Sequence, residues 1–211
     1  MKRFISILLC MILVLGLAAC GSKTADTAQN DQIAESKEAQ DTSSELSTEV
    51  PETGKDVLVV YFSETGTTKG VAEKIAGITG ADIYEIKAAQ EYSDADLDWN
   101  DPDSRSTLEQ NDPSVRPEIG SEAISLDGYS TIYIGYPIWW GEEPRIMDTF
   151  VESYSFDGIT MIPFCTSGSS GIGMSGKNLA DNAKSGQWLD GNRFGAGASE
   201  EEIASWINGL Q

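Results

Sequence analysis

Val57-Leu58-Val59-Val60-Tyr61-Phe62, followed by Ser63-Glu64-Thr65-Gly66-Thr67-Thr68, decides the fold. Six apolar residues in a row describe a strand covered on both faces, because a strand with one wet face would alternate. A glycine among four hydroxyl residues then ends the run, and Val71, Ile75 and Ile78 recur at helical spacing. A buried strand passing through a small polar loop into a helix is the opening unit of a parallel sheet packed between helices.

The alternation continues downstream. Asp82 to Lys87 has the pattern of a short strand, and Ala88 to Gly128 is polar and acidic, broken by Pro102, Pro113 and Pro117, with room for one short helix. Thr131-Ile132-Tyr133-Ile134-Gly135 is a second buried run. A helix starts at Pro144, a residue suited to a first turn, and buries Met147, Phe150, Val151 and Tyr154. Ile159 to Cys165 is the next strand, where Pro163 lacks a ladder donor and predicts a bulge. Lys177 to Lys184 predicts a helix, and Gln187-Trp188-Leu189 a weak last strand. Ser199-Glu200-Glu201-Glu202 is a capping box before a helix that buries Ile203, Trp206, Ile207 and Leu210. The expectation is one α/β domain over residues 56–211 with a five-stranded parallel sheet.

Upstream the composition is different. Met1-Lys2-Arg3 is a basic start, and Phe4 to Leu17 is an apolar run of 14 residues. A membrane-spanning helix needs roughly 20, so the run suits a secretory signal over residues 1–19. It ends in Leu17-Ala18-Ala19-Cys20-Gly21, which resembles the lipobox of bacterial lipoproteins; that resemblance implies cleavage before Cys20 and acylation of it. Several acyl chains anchor a protein stably where one would not. Ser22 to Lys55 is polar and lacks aromatic residues, so it cannot offset its ordering entropy and is expected to be a disordered tether. Its flexible span is roughly 30 Å root-mean-square. With Cys10 lost with the signal and Cys20 lipidated, Cys165 stands alone and no disulfide is expected in the mature chain.

The whole chain of 211 residues has 14 Lys+Arg against 34 Asp+Glu, no histidine and three cysteines. Residues 57–211 hold 9 basic and 25 acidic groups, a net −16. Such a domain repels phosphates, which argues against nucleic acid or an anionic membrane surface as its main partner. The lack of histidine excludes Ser-His-Asp and Cys-His catalysis and histidine metal sites. The sparse cysteines exclude zinc ribbons, redox pairs and all-cysteine iron–sulfur clusters. Redox or group-transfer chemistry would therefore rest on a bound cofactor.

Ligands of open α/β sheets bind beyond the carboxyl ends of the strands, and three loops there have unusual composition. Ser63 to Thr68 offers hydroxyls and free backbone N–H groups at a helix start, either a phosphate cradle without cations or ordinary capping. Tyr136-Pro137-Ile138-Trp139-Trp140-Gly141 offers aromatic faces for a planar ring, or else a small satellite core under residues 88–128. Thr166-Ser167-Gly168-Ser169-Ser170-Gly171-Ile172-Gly173 lets backbone approach a ligand closely, or is a flexible connection.

Together these stretches resemble the flavodoxin family, within it a bacterial subgroup of flavodoxin-like proteins. The resemblance rests on Val59-Val60-Tyr61-Phe62-Ser63-x-Thr65-Gly66-Thr67-Thr68, Gly135 to Gly141 and Pro163 to Gly171, and extends over residues 56–211. It implies strand order 2-1-3-4-5 and one FMN at the strand ends. The phosphate loop would comprise Ser63, Glu64, Thr65, Gly66, Thr67 and Thr68. The ring would lie between Pro137, Ile138, Trp139, Trp140 and Gly141 on one side and Thr166, Ser167, Gly168, Ser169 and Gly171 on the other. The sequence does not choose between Trp139 and Trp140 as the stacking ring. Some members have a histidine in the third loop where this chain has Ser167 or Gly168, and chemistry that needs that proton donor is not expected here.

The family implies an FMN electron carrier, here tethered outside the cytoplasmic membrane, with a redox partner presenting a basic patch. The alternatives are an FMN-dependent NAD(P)H:acceptor oxidoreductase acting on a quinone or flavin, and a binding module without FMN. Gly171-x-Gly173-x-x-Gly176 matches a dinucleotide fingerprint, but only 21 residues follow Asp190, too few for the helix and strand that such a half-domain needs. Asn178 stands where a Walker A loop needs Ser or Thr. Cys165 is expected to be a packed small residue rather than a nucleophile.

Overall fold

The computed structural model describes residues 56–210. The expected signal peptide over residues 1–19, the expected lipidation of Cys20 and the expected tether over residues 20–55 lie outside the described residues. The chain runs through β1 (Val57–Phe62), α1 (Thr67–Thr79), β2 (Asp82–Ile86), α2 (Arg105–Asn111), β3 (Thr131–Pro137), α3 (Arg145–Glu152), β4 (Thr160–Thr166), α4 (Ser175–Ala183), β5 (Gln187–Trp188), β6 (Asn192–Phe194) and α5 (Glu200–Asn208). All strand pairs are parallel, in the order β2-β1-β3-β4-β5, and β6 also pairs with β4.

The apolar run at 57–62 is explained by two cores. Leu58, Val60 and Phe62 face one layer with Ile132, Ile134, Tyr136, Met147, Phe150 and Leu179, under α3 and α4. Val59 and Tyr61 face the other with Val71, Ile75, Ile203 and Ile207, under α1 and α5. Residues on both faces must be apolar, so alternation vanishes. Because β2 and β3 lie on opposite sides of β1, the loops leaving β1 and β3 part at the strand ends and open a crevice.

The order matches the sequence reading, with one refinement at the edge. The fifth position is split: β5 pairs with β4 at Thr160 and Met161, β6 at Phe164 to Thr166, and the chain steps away between them. Pro163 is the cause. The expected bulge in β4 is absent, since Ile162, Pro163 and Phe164 pair in unbroken register with Tyr133, Ile134 and Gly135. The Met161 carbonyl accepts from Leu189 N–H, so by strand alternation Pro163 also faces the edge strand, where it has no N–H to give. The interruption therefore falls on the neighbour.

Two smaller differences concern helix faces. Ile78 is exposed near the C-terminal end of α1, which buries Thr68, Val71, Ala72 and Ile75 instead. Tyr154 lies beyond α3 and is half-buried, with its ring tilted against Phe150 at 4.9 Å between centroids. At α5, Ser199 Oγ accepts from Glu202 N–H at 3.2 Å, the first half of the expected capping box. Among the described residues no helix is long and apolar enough to cross a membrane.

Candidate functional site

The loop after β1 turns on Gly66, whose φ of +82° favours glycine, and α1 starts at the next residue. Thr65 and Thr67 lie with their hydroxyls 3.3 Å apart. Thr68 is buried, and its hydroxyl shares a 2.8 Å hydrogen bond with Thr166 at the end of β4. Ser63 Oγ is buried and has no hydrogen-bond partner. A buried hydroxyl left unpaired is costly unless something else meets it. Glu64 is half-buried beside it, and burial lifts its carboxyl above the ordinary range, with repulsion from Glu91 adding to the rise.

The loop after β3 separates the two tryptophans. Trp139 N–H donates to Glu142 O at 2.9 Å and Glu142 N–H donates to Trp139 O at 3.0 Å, closing a two-residue turn. Its central residues, Trp140 and Gly141, have φ of +50° and +88°, the pattern of a type I′ turn. A tryptophan in that conformation is strained, on the order of 1–3 kcal/mol. Trp139 points inward, with its ring 5.6 Å from Phe62 and 5.4 Å from Tyr92, nearly perpendicular to both. Trp140 is 45% exposed. Trp139 thus takes the satellite-core role, packed under residues 88–128, and Trp140 keeps an open face.

Ser63, Glu64, Thr65, Thr68, Pro137, Ile138, Trp139 and Trp140 line one cleft of about 400 Å³. The other wall consists of Leu97, Trp99 and Ser106, which sequence reasoning missed. Trp99 is 74% exposed on the segment between β2 and α2, among Asp96, Asp98 and Asp101, and an aromatic residue in so acidic a stretch was the available signal. Gly66, Thr67 and Gly141 shape the turns without lining the cleft. The third loop stands beside it: Ile138 N–H donates to Thr166 O at 2.9 Å, whereas Ser167, Gly168, Ser169 and Gly171 are not in its walls. Arg193 of β6, also missed, donates to Ser167 O at 2.6 Å and Gly168 O at 2.7 Å and fixes that loop. Ser167 Oγ in turn bonds Ser170 O.

The sequence profile of the flavodoxin family matches residues 56–210. The chain belongs to the flavodoxin family. A solved structure assigned as a flavoprotein from Bacteroides uniformis shares 47% identity with a TM-score of 0.70, covering 74% of this chain and 99% of that one. A second, from Bacteroides eggerthii, shares 44% identity with a TM-score of 0.69, covering 74% and 97%. A flavoprotein solved in complex with FMN from Lactobacillus acidophilus shares 24% identity with a TM-score of 0.55, covering 72% and 99%, a likeness of fold. Comparison with curated proteins finds no match.

The remaining sequence motifs of this flavodoxin-family chain have structural roles. Gly176 lies in α4 where a Cβ would stand 3.1 Å from the Pro163 ring, so the third glycine of the apparent dinucleotide fingerprint lets a helix pack on β4. Cys165 is fully buried, and burial pushes its thiol up to about 12, with Arg193 opposing the rise. A buried thiol of that kind is inert. In the native chain Cys165 is expected to resist iodoacetamide at pH 8 and to be alkylated only after unfolding, as read by peptide mass mapping. Native-state labelling within minutes would show the β4 end to be open.

Proposed function

We propose that this flavodoxin-family domain binds FMN in the cleft and works as an electron carrier held outside the cytoplasmic membrane by lipid on Cys20. The observation that supports it most is the unpartnered Ser63 Oγ at the head of the hydroxyl loop. A phosphate monoester there would accept from Ser63, Thr65 and Thr67 and from the first amides of α1, whose dipole favours an anion. These donors are neutral, and none of the residues lining the cleft is basic. Trp140 offers a half-exposed ring to a planar system, while Trp139 is committed to Phe62 and Tyr92. Bound there, FMN would supply one- or two-electron transfer.

The chain's own groups set the surroundings of that chemistry. Glu64 stands in the cleft wall, and Glu91, Asp94, Asp98, Asp101 and Asp103 are exposed on the segment that carries Trp99. This acidic rim with an aromatic residue in it suits a partner protein with a basic docking patch. It disfavours an anionic nicotinamide dinucleotide, and so the carrier is preferred to the oxidoreductase.

The test is titration of FMN fluorescence with the full chain. Quenching at micromolar protein is expected, and a Thr65→Ala, Thr67→Ala variant should bind at least about tenfold more weakly, since two hydrogen bonds to a charged group are lost. No quenching by the unsubstituted chain would leave only a flavin-free binding module.

A further inference from the structure

Beneath the turn that presents Trp140 lies a buried polar cluster that the flavin reading does not use. Gln110 of α2 donates through Nε2 to Trp139 O at one end of the turn, at 3.0 Å, and to Glu143 O just past its other end, at 3.1 Å. Arg145, the first residue of α3, donates through one amino group to Gln110 O at 3.1 Å and to the Glu142 carboxylate at 2.8 Å. Glu143 is 1% exposed and accepts from Asn178 of α4 at 3.2 Å. Its carboxylate is 3.9 Å from Arg145, which Asp148 also approaches at 3.7 Å.

The sequence made no use of these residues, and their placement is unusual. Gln110 and Arg145 are both buried, and each keeps one side-chain atom, Oε1 and Nε, without a hydrogen-bond partner. A helix as short as α2 offers little stability of its own. Its buried glutamine reaches the backbone of another loop, which fixes a strained Trp140 in place. Strain persists only where the surroundings over-determine it.

We infer that Gln110 and Glu143 are positioning residues for the ring half of the cleft: they hold the Trp139–Glu142 turn, and so the attitude of Trp140 towards a bound flavin. This rests on the flavin reading above. Glu143 adds a dependence on pH. Burial raises its carboxyl to about 7, and the charges of Asp148 and Glu142 push the same way. The groups around it are Glu142 on the turn, Arg145 and Asp148 on α3, Asn178 and Asp181 on α4, Tyr136 on β3, and Gln110 and Arg116 from α2 and the segment after it. When Glu143 is neutral, Arg145 is left to bridge Glu142 and Gln110, and the turn is clamped. When it is ionised, it competes with Glu142 for Arg145 and repels the Glu142 carboxylate. Flavin affinity therefore falls as pH rises through about 7.

Riboflavin is the discriminating probe, because it lacks the phosphate, whose own second ionisation near pH 6 would confuse an FMN titration. With the full chain, riboflavin affinity by fluorescence quenching is expected to drop severalfold between pH 5.5 and 8.5, with a midpoint near 7. Glu143→Gln, nearly isosteric, should abolish that dependence and hold the low-pH affinity throughout. Gln110→Ala should weaken riboflavin about tenfold at both pH values, with circular dichroism reporting an unchanged fold. A Glu143→Gln profile that follows the unsubstituted chain overturns the inference while FMN still binds. Failure of FMN and riboflavin alike removes the flavin reading, and this inference with it.

Discussion

Replacing Arg145 with methionine is expected to destabilise the domain by about 3–5 kcal/mol at pH 8, the usual effect of removing one partner from a buried charge cluster. Methionine fills much of the same volume, so the loss is electrostatic. Arg145 is the cation facing Glu142, Glu143 and Asp148, and the last two are each 1% exposed. Without it their charges are stranded away from water. Burial already holds both carboxyls above their ordinary values, Glu143 at about 7. A raised carboxyl contributes stability in full below its unfolded value of 4.5 and loses it as pH rises through about 7. For Glu143 that contribution is on the order of 3 kcal/mol. Removing the arginine lifts both groups further. The variant's deficit should thus be largest at pH 8 and shrink by pH 5.5. Urea denaturation at the two pH values measures it; a deficit that is small at both would show that the cluster is already neutral in the native protein, and a large one equal at both that the loss is not electrostatic.

The fold was legible because a doubly covered parallel strand leaves no polar position. At β1 both cores press on the same six residues, so the sequence there has only one reading. Legibility fades at the sheet edge, where Gln187 to Arg193 pairs on one side only and has no fully buried residue before Phe194. Pro163 announced a defect in the ladder, yet a missing N–H belongs equally to the strand it faces. The consequence appeared as the break between β5 and β6, a matter of pairing that the sequence of β4 does not contain. Gly191 makes the point again. A Cβ there would stand 2.5 Å from Pro163 O, so the step in the edge strand needs a residue without a side chain.

The site was legible in part for a related reason. Hydroxyls at a helix start and adjacent tryptophans at a strand end are local patterns, and the topology brings them into one cleft. The two tryptophans could not be told apart in sequence, because their difference arises from a turn closed by two backbone hydrogen bonds and from Phe62 and Tyr92 elsewhere. Trp99 and Ser106 come from a segment without periodicity, and Gln110 and Arg193 act through carbonyls remote in sequence. The third loop shows the converse. Its glycines and serines invited a ligand, but Arg193 holds Ser167 and Gly168 beside the cleft rather than in its wall.

Phe62→Ala is the substitution that joins fold and site, and it should disturb both. Phe62 is fully buried at the end of β1, immediately before Ser63, with its ring 6.1 Å from Tyr92 and 5.6 Å from Trp139. Truncation removes the ring's transfer energy and leaves a cavity, about 3–5 kcal/mol together. For a domain of this size that corresponds to a melting temperature lower by roughly 10 °C. The cavity opens against Trp139, so the cleft loses the aromatic packing behind Trp139 as well as the support of the strand that leads into its hydroxyl loop. Flavin affinity should fall with stability, by more than the Thr65→Ala, Thr67→Ala variant loses. Phe62→Leu, which refills most of the space, should recover the larger part of both. If the alanine variant melted early but bound FMN as the unsubstituted chain does, Trp139 would be held by its turn and Gln110 alone, and the aromatic cluster would be core without a part in the site.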